Sequence, residues 1–149
     1  HTFQLLTKNY KRLTDFAFPD NVWVGVSAPP TQMNGRSLSA DQQHRMVSLT
    51  LDTLAQVRAK IKWMSIEPLS FDIAQEFLNW RESDGIPTRL PFQWAVIGAA
   101  TNGPKVYQPE PAWVNSVLEV LRWDSVPVFF KGNLRGSPAA NRWREEFPA

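Results

Sequence analysis

Five short apolar runs punctuate this chain, at residues 3–6, 22–26, 63–66, 94–97 and 126–130. Each is four or five residues long, too short for a helix, and rich in β-branched or aromatic side chains. That is the pattern of strands buried on both faces. Helical patterns fill the gaps. Ser39 followed by Gln42 is a capping-box signature, opening a helix that Met46, Leu49, Leu54 and Val57 carry to about residue 59. A second helix is expected over 71–80, with Ile73, Phe77 and Leu78 on one side. A third begins at Pro111, a residue suited to a first helical position, and carries the stripe Trp113, Val114, Val117, Leu118 and Leu121. Shorter helices are expected over 10–16 and 139–147.

Strands alternating with helices specify βα units, whose right-handed crossovers produce a parallel sheet covered by helices. The fold class is therefore α/β. Five units within 149 residues leave no room for a complete eight-unit barrel of about 250 residues. A five-stranded partial (β/α) barrel, forming one domain over 1–149, is the expected architecture. Residues 28–38 and 84–91 contain proline and glycine and read as surface loops. An open arc has unpaired edges, which proteins normally cover. A homodimer, or a complementary N-terminal chain at an edge, is the expected partner.

Composition narrows the chemistry. The sequence contains no cysteine, so this chain supplies no disulfide, thiolate nucleophile, cysteine-held zinc or thiolate-ligated iron–sulfur cluster. His1 and His44 lack metal-ligand spacing, and no metal or cofactor is expected on the chain. The formal charge of +2 allows nucleic acid without demanding it. No apolar stretch approaches the roughly 20 residues that span a bilayer, and the first residues lack a signal-peptide pattern, so the default location is the cytoplasm.

In parallel α/β folds ligands collect at the carboxyl ends of the strands. The residues leaving each run are polar: Thr7 and Lys8, Ser27, Glu67 after Ser65, Gly98 leading to Thr101 and Asn102, and Lys131 leading to Asn133. Glu67 and Lys131 are the candidate catalytic pair, and the others are candidate ligand-binding residues. Pro68 stops the third strand and restricts how Glu67 is presented. Each signal has an ordinary structural alternative. A glutamate at a strand end beside a lysine is most often an ion pair, and Lys8 and Lys131 either bind an anion or neutralise Glu67. The G-A-A-T-N-G segment fits a tight turn better than a phosphate loop. Trp63, Trp94 and Trp113 sit at patterned positions expected in the core, whereas Trp80, Trp123 and Trp143 do not.

Taken in order, F-Q-L-L-T-K at 3–8, N-V-W-V-G-V-S at 21–27, M-S-I-E-P-L at 64–69, W-A-V-I-G at 94–98, P-x-W-V at 111–114 and V-P-V-F-F-K at 126–131 resemble a phage- and prophage-associated family of unknown function. That family resembles radical S-adenosylmethionine enzymes in its TIM barrel. The resemblance implies that this chain corresponds to the carboxyl-terminal portion of such a barrel, without the cysteine cluster that would hold a [4Fe–4S] centre. S-adenosylmethionine and the cluster are implied by the resemblance alone. Two departures stand out. The family's G-G-E-S-G after the fourth strand becomes Gly98-Ala99-Ala100-Thr101-Asn102-Gly103, and its V-E-N after the second becomes Ala28-Pro29-Pro30. Three functions follow as expectations. The first is a non-catalytic module binding a small anionic or nucleotide-like ligand at the strand rim. The second is the carboxyl-terminal part of a radical enzyme whose cluster-binding segment lies elsewhere. The third is a cluster-independent enzyme using Glu67 as general base.

Overall fold

The computed structural model describes residues 1–33, 35–82, 85 and 88–149. The five apolar runs become strands β1 (Phe3–Thr7), β2 (Val22–Ser27), β5 (Ile61–Ile66), β6 (Trp94–Ile97) and β9 (Val128–Phe130). They form one sheet in the order β1-β2-β5-β6-β9, with each pair of neighbours parallel. Spatial order thus follows chain order. When every right-handed crossover advances in the same direction, the connecting helices all fall on one face. Burial agrees: Val24, Val26, Met64, Ile66, Ala95, Ile97, Val128 and Phe130 share the main core with the helices. On the opposite, open face, Trp63, Trp94 and Val96 form a separate buried cluster, with Trp23 and Phe129 packed against it.

Helix α1 (Ala40–Gln56) begins with the expected capping box: Gln42 N–H donates to Ser39 Oγ, and Ser39 N–H donates to Gln42 Oε1 at 2.9 Å. Helix α2 (Ala74–Glu82) starts later than its apolar pattern suggested, while α3 (Pro111–Trp123) carries Pro111 in its first turn. The three are tied by side chains. His44 pairs with Glu76 between α1 and α2, and Arg81 pairs with Asp124 at the end of α3, where the other Asp124 oxygen accepts from Leu90 N–H at 2.7 Å.

Several expectations need correction. The short helix expected over 10–16 is present, as a 3-10 helix (Tyr10–Asp15) in which Leu13 is buried. Residues 139–147 do not form a helix. After a 3-10 turn at Pro138–Ala140, this segment runs extended and bridges antiparallel from Glu145 to Phe129. Phe130 N–H donates to Arg144 O, and Glu146 N–H donates to Val128 O, so the tail closes the outer edge of β9. Pairing with a strand edge satisfies more backbone groups than an isolated short helix could. The strands are not all buried on both faces: four of the five β1 residues are exposed. The loop expected over 28–38 contains a small hairpin, β3 (Gln32–Met33) with β4 (Arg36–Ser37), apart from residue 34, which lies outside the described residues. In the loop expected over 84–91, residues 84, 86 and 87 likewise lie outside them. The G-A-A-T-N-G segment forms the turn expected of it, within a hairpin of β7 (Ala100–Asn102) and β8 (Lys105–Tyr107), where Gly103 adopts a φ of 57°.

Candidate functional site

Alternation along the strands decides which side chains face outward from the open side. Trp63, Ser65 and Glu67 share one parity on β5 and beyond its end; Trp94, Val96 and Gly98 share it on β6, and Phe129 and Lys131 on β9. The registers Ser65↔Val96↔Phe129 and Ile66↔Ile97↔Phe130 set these residues in rows. One step past Ile66, Ile97 and Phe130, the top row reads Glu67, Gly98, Lys131.

Gly98 makes this row work. A Cβ built there would lie 2.8 Å from Glu67 Oε1, so the carboxylate occupies the space a side chain would need. Glu67 can therefore reach across β6 to a strand that is not its neighbour. Lys131 Nζ lies 3.3 Å from Glu67 Oε2, both side chains remaining partly exposed. Asn133 holds the other oxygen, with Nδ2 3.3 Å from Glu67 Oε1. The same amide is fixed at both ends by the backbone of residue 99: Ala99 N–H donates to Oδ1 at 3.1 Å, and Nδ2 donates to Ala99 O at 2.9 Å. Gln108 Nε2 in turn donates to Asn133 O at 2.9 Å. The peptide bond between Glu67 and Pro68 is cis.

Beneath this row lies an aromatic wall. Trp63 leans over Gly25, where a Cβ would come within 2.2 Å of the indole, and its Nε1 donates to Trp23 O. Trp94 meets Trp63, Trp23 and Phe129 at ring-centroid separations of 5.2, 5.7 and 6.3 Å. Phe147, from the extended tail, stacks on Trp94 at 5.5 Å. Glu67, Lys131 and Ser65 together with Trp63, Trp94, Phe129 and Phe147 line a pocket of about 220 Å³. Gln4 and Leu6 of β1 line it too, so the sheet curves around its open face.

The candidate residues divide among several places. Glu67, Lys131, Ser65, Gly98 and Asn133 come together. Lys8 leaves the sheet at the same end as Glu67 but on the opposite edge strand from Lys131, four strand spacings of about 4.8 Å away along the sheet. With Ser27 it lines a small recess against Tyr10 and Met46. Thr7 borders the groove outside β1, where its Oγ1 accepts from Asn9 N–H. Thr101 and Asn102 belong to the β7–β8 hairpin and line a recess of about 610 Å³ with Pro68, Ser70 and Trp113. The aromatic members Trp23, Phe129 and Phe147 were not singled out from the sequence as site residues. Shared parity with Glu67 and Lys131 was the available signal for Phe129; nothing in the sequence pattern pointed to Phe147.

A family model described as "Protein of unknown function (DUF5131)" matches residues 1–142. The chain belongs to DUF5131. No curated protein and no solved structure matches this DUF5131 chain. Among the described residues, no three His, Cys, Asp or Glu side chains gather to hold a metal ion, and no helix is long and apolar enough to cross a membrane. An iron–sulfur cluster of the kind implied by the radical-enzyme resemblance needs thiolate ligands, and the DUF5131 chain has no cysteine. The residues present therefore do not fit that group.

Proposed function

We propose that this chain binds a small nucleotide-like, anionic ligand at the carboxyl-terminal rim of its sheet and performs no chemistry on it alone. The observation that carries the reading is the Glu67–Lys131 pair, partly exposed at 3.3 Å above an aromatic wall in a pocket of about 220 Å³. Lys131 has three donors, of which Glu67 engages one direction, leaving others for a phosphate or carboxylate. Glu67 can accept from ligand hydroxyls while its second oxygen stays anchored by Asn133. The ring wall offers planar contact to a base. Its volume lies below the usual 300–1,000 Å³ of ligand pockets, which favours a small ligand with part of its surface in water.

The sequential strand order and the curvature support the finer reading that the sheet is a portion of a (β/α) barrel of the radical S-adenosylmethionine type. Association with phages and a cytoplasmic location go with that reading; the lack of cysteine is compatible with a reducing compartment.

Calorimetric titration with adenosine 5′-monophosphate tests the binding. Saturable binding is expected, weakened about tenfold or more by Lys131→Met, because a lost charge-assisted hydrogen bond is worth roughly 1.5–3 kcal/mol. Absence of binding, or binding indifferent to Lys131→Met, refutes the reading. Turnover of the nucleotide that disappears in Glu67→Gln would replace it with the acid–base enzyme.

A further inference from the structure

Thr101 and Asn102, two strand-exit residues that stand apart from Glu67, line the recess of about 610 Å³ at the same end of the sheet. Its wall comes from the segments that follow β2, β5 and β6, and from Trp113 in the first turn of α3. All of them lie between residues 30 and 113, well inside the chain. The recess abuts the Glu67 pocket: Glu67 lines one cavity, and the next residue, Pro68, lines the other. Gln108, also in the recess wall, donates to Asn133 O at 2.9 Å, and Asn133 holds Glu67. The two cavities differ in chemistry. The smaller one carries an acid and a lysine, whereas no side chain lining the recess is charged. The recess offers instead the hydroxyls and amide of Thr31, Ser70, Thr101 and Asn102 beside the rings of Tyr107 and Trp113. Ser70 Oγ accepts from Thr31 N–H at 2.9 Å, which leaves its own proton available. Lys105 Nζ stands 4.7 Å over the Tyr107 ring and sets a cation beside this neutral wall.

We propose that this recess takes a second nucleoside, so that the ligand of the rim is a dinucleotide, with one nucleotide at Glu67 and Lys131 and the second base among these rings and amides. The inference rests on the nucleotide reading of the Glu67 pocket and extends it. Size is the first argument. The recess, at about 610 Å³, falls within the usual 300–1,000 Å³ of ligand sites, and the Glu67 pocket, at about 220 Å³, does not. Together they enclose what the smaller cavity leaves in water. Chemistry points the same way. A nucleobase is planar and uncharged, with donors and acceptors along its rim; aromatic rings stack on its faces and amides pair with its polar atoms. A phosphate, by contrast, belongs beside Lys131, since the uncharged recess has no cation in its wall to pair with it. The link between the two nucleosides passes over the boundary at residues 67 and 68.

Calorimetric titration with three probes tests this: adenosine 5′-monophosphate, the 3′,5′-linked dinucleotide pApA, and diadenosine 5′,5′-diphosphate. At least one dinucleotide is expected to bind about tenfold or more tightly than the mononucleotide, the gain typical of one stacked base. Which of the two gains shows whether the ligand comes from a nucleic-acid strand or is a free dinucleotide. Tyr107, 46% exposed on the β7–β8 hairpin, can be shortened without opening the core. Tyr107→Ala is expected to bring the dinucleotide back to the affinity of the mononucleotide while mononucleotide binding stays as it was, which also shows that the variant is folded. Mononucleotide binding that Lys131→Met weakens, with no gain from either dinucleotide, keeps the Glu67 pocket and overturns the recess. So does a dinucleotide gain that survives Tyr107→Ala. Dinucleotide binding lost in Tyr107→Ala but indifferent to Lys131→Met keeps the recess as a nucleoside site and overturns the reading at Lys131.

Discussion

At the scale of single residues, the candidate site depends on a side chain that is missing. Glu67 and Lys131 belong to strands separated by β6, and only the bare Cα of Gly98 lets the carboxylate cross the intervening strand. Gly98→Ala therefore has two effects that are normally separate. Its methyl group would overlap Glu67, an overpacking cost of about 1–3 kcal/mol, and the displaced carboxylate would leave both Lys131 and Asn133. Chemical denaturation should show the loss of stability, and nucleotide affinity should fall together with it. Normal affinity in a destabilised Gly98→Ala variant would show that the pair plays no part in binding. Glu67, Lys131, Gly98 and Asn133 were all visible in the sequence as strand exits. Their roles were not, since Asn133 and Gly98 reach Glu67 from positions 66 and 31 residues along the chain.

Between elements, the junction of α1 and β5 contains a titrating group. Lys62 Nζ donates to Leu54 O at 2.7 Å, capping the end of α1 from the neighbouring strand. Burial lowers its pKa from the ordinary 10.5. Over the interval from that lowered value up to 10.5, the unfolded chain binds more protons than the folded one. Folding stability therefore rises with pH through this interval, whereas below it the cost of burying the ammonium is fully present. Denaturation midpoints measured at successive pH values should show this rise, and Lys62→Met should lack it. Equal slopes in the two proteins would remove Lys62 as the cause. The elements themselves were well marked by local signals wherever those signals were strong. Ser39 and Gln42 announced α1, and Pro111 announced α3. The last segment deceived because its apolar residues, Trp143 and Phe147, pack against Phe130 and Trp94 from an extended chain rather than from one helical face.

For the whole molecule, one sheet carries two cores, the helix-covered one and the tryptophan cluster on the open face. Alternate residues of the same strands feed both, so neither can melt while the other keeps its strands aligned. Urea unfolding followed by tryptophan fluorescence, to which Trp23, Trp63 and Trp94 of the open face contribute, should therefore coincide with unfolding followed by far-ultraviolet circular dichroism. Separate midpoints would mean that the open-face cluster loosens by itself. Sequence alone determined the α/β class, the parallel strands and the end of the sheet at which polar residues gather, because short apolar runs alternating with amphipathic helices admit few arrangements. Tertiary structure alone decided that Glu67 meets Lys131 while Lys8 lies in another recess, that Phe147 lies on Trp94, and that the tail closes the outer edge of β9. Those outcomes depend on register, curvature and long-range packing, which bring together residues whose separation along the chain carries no local signal.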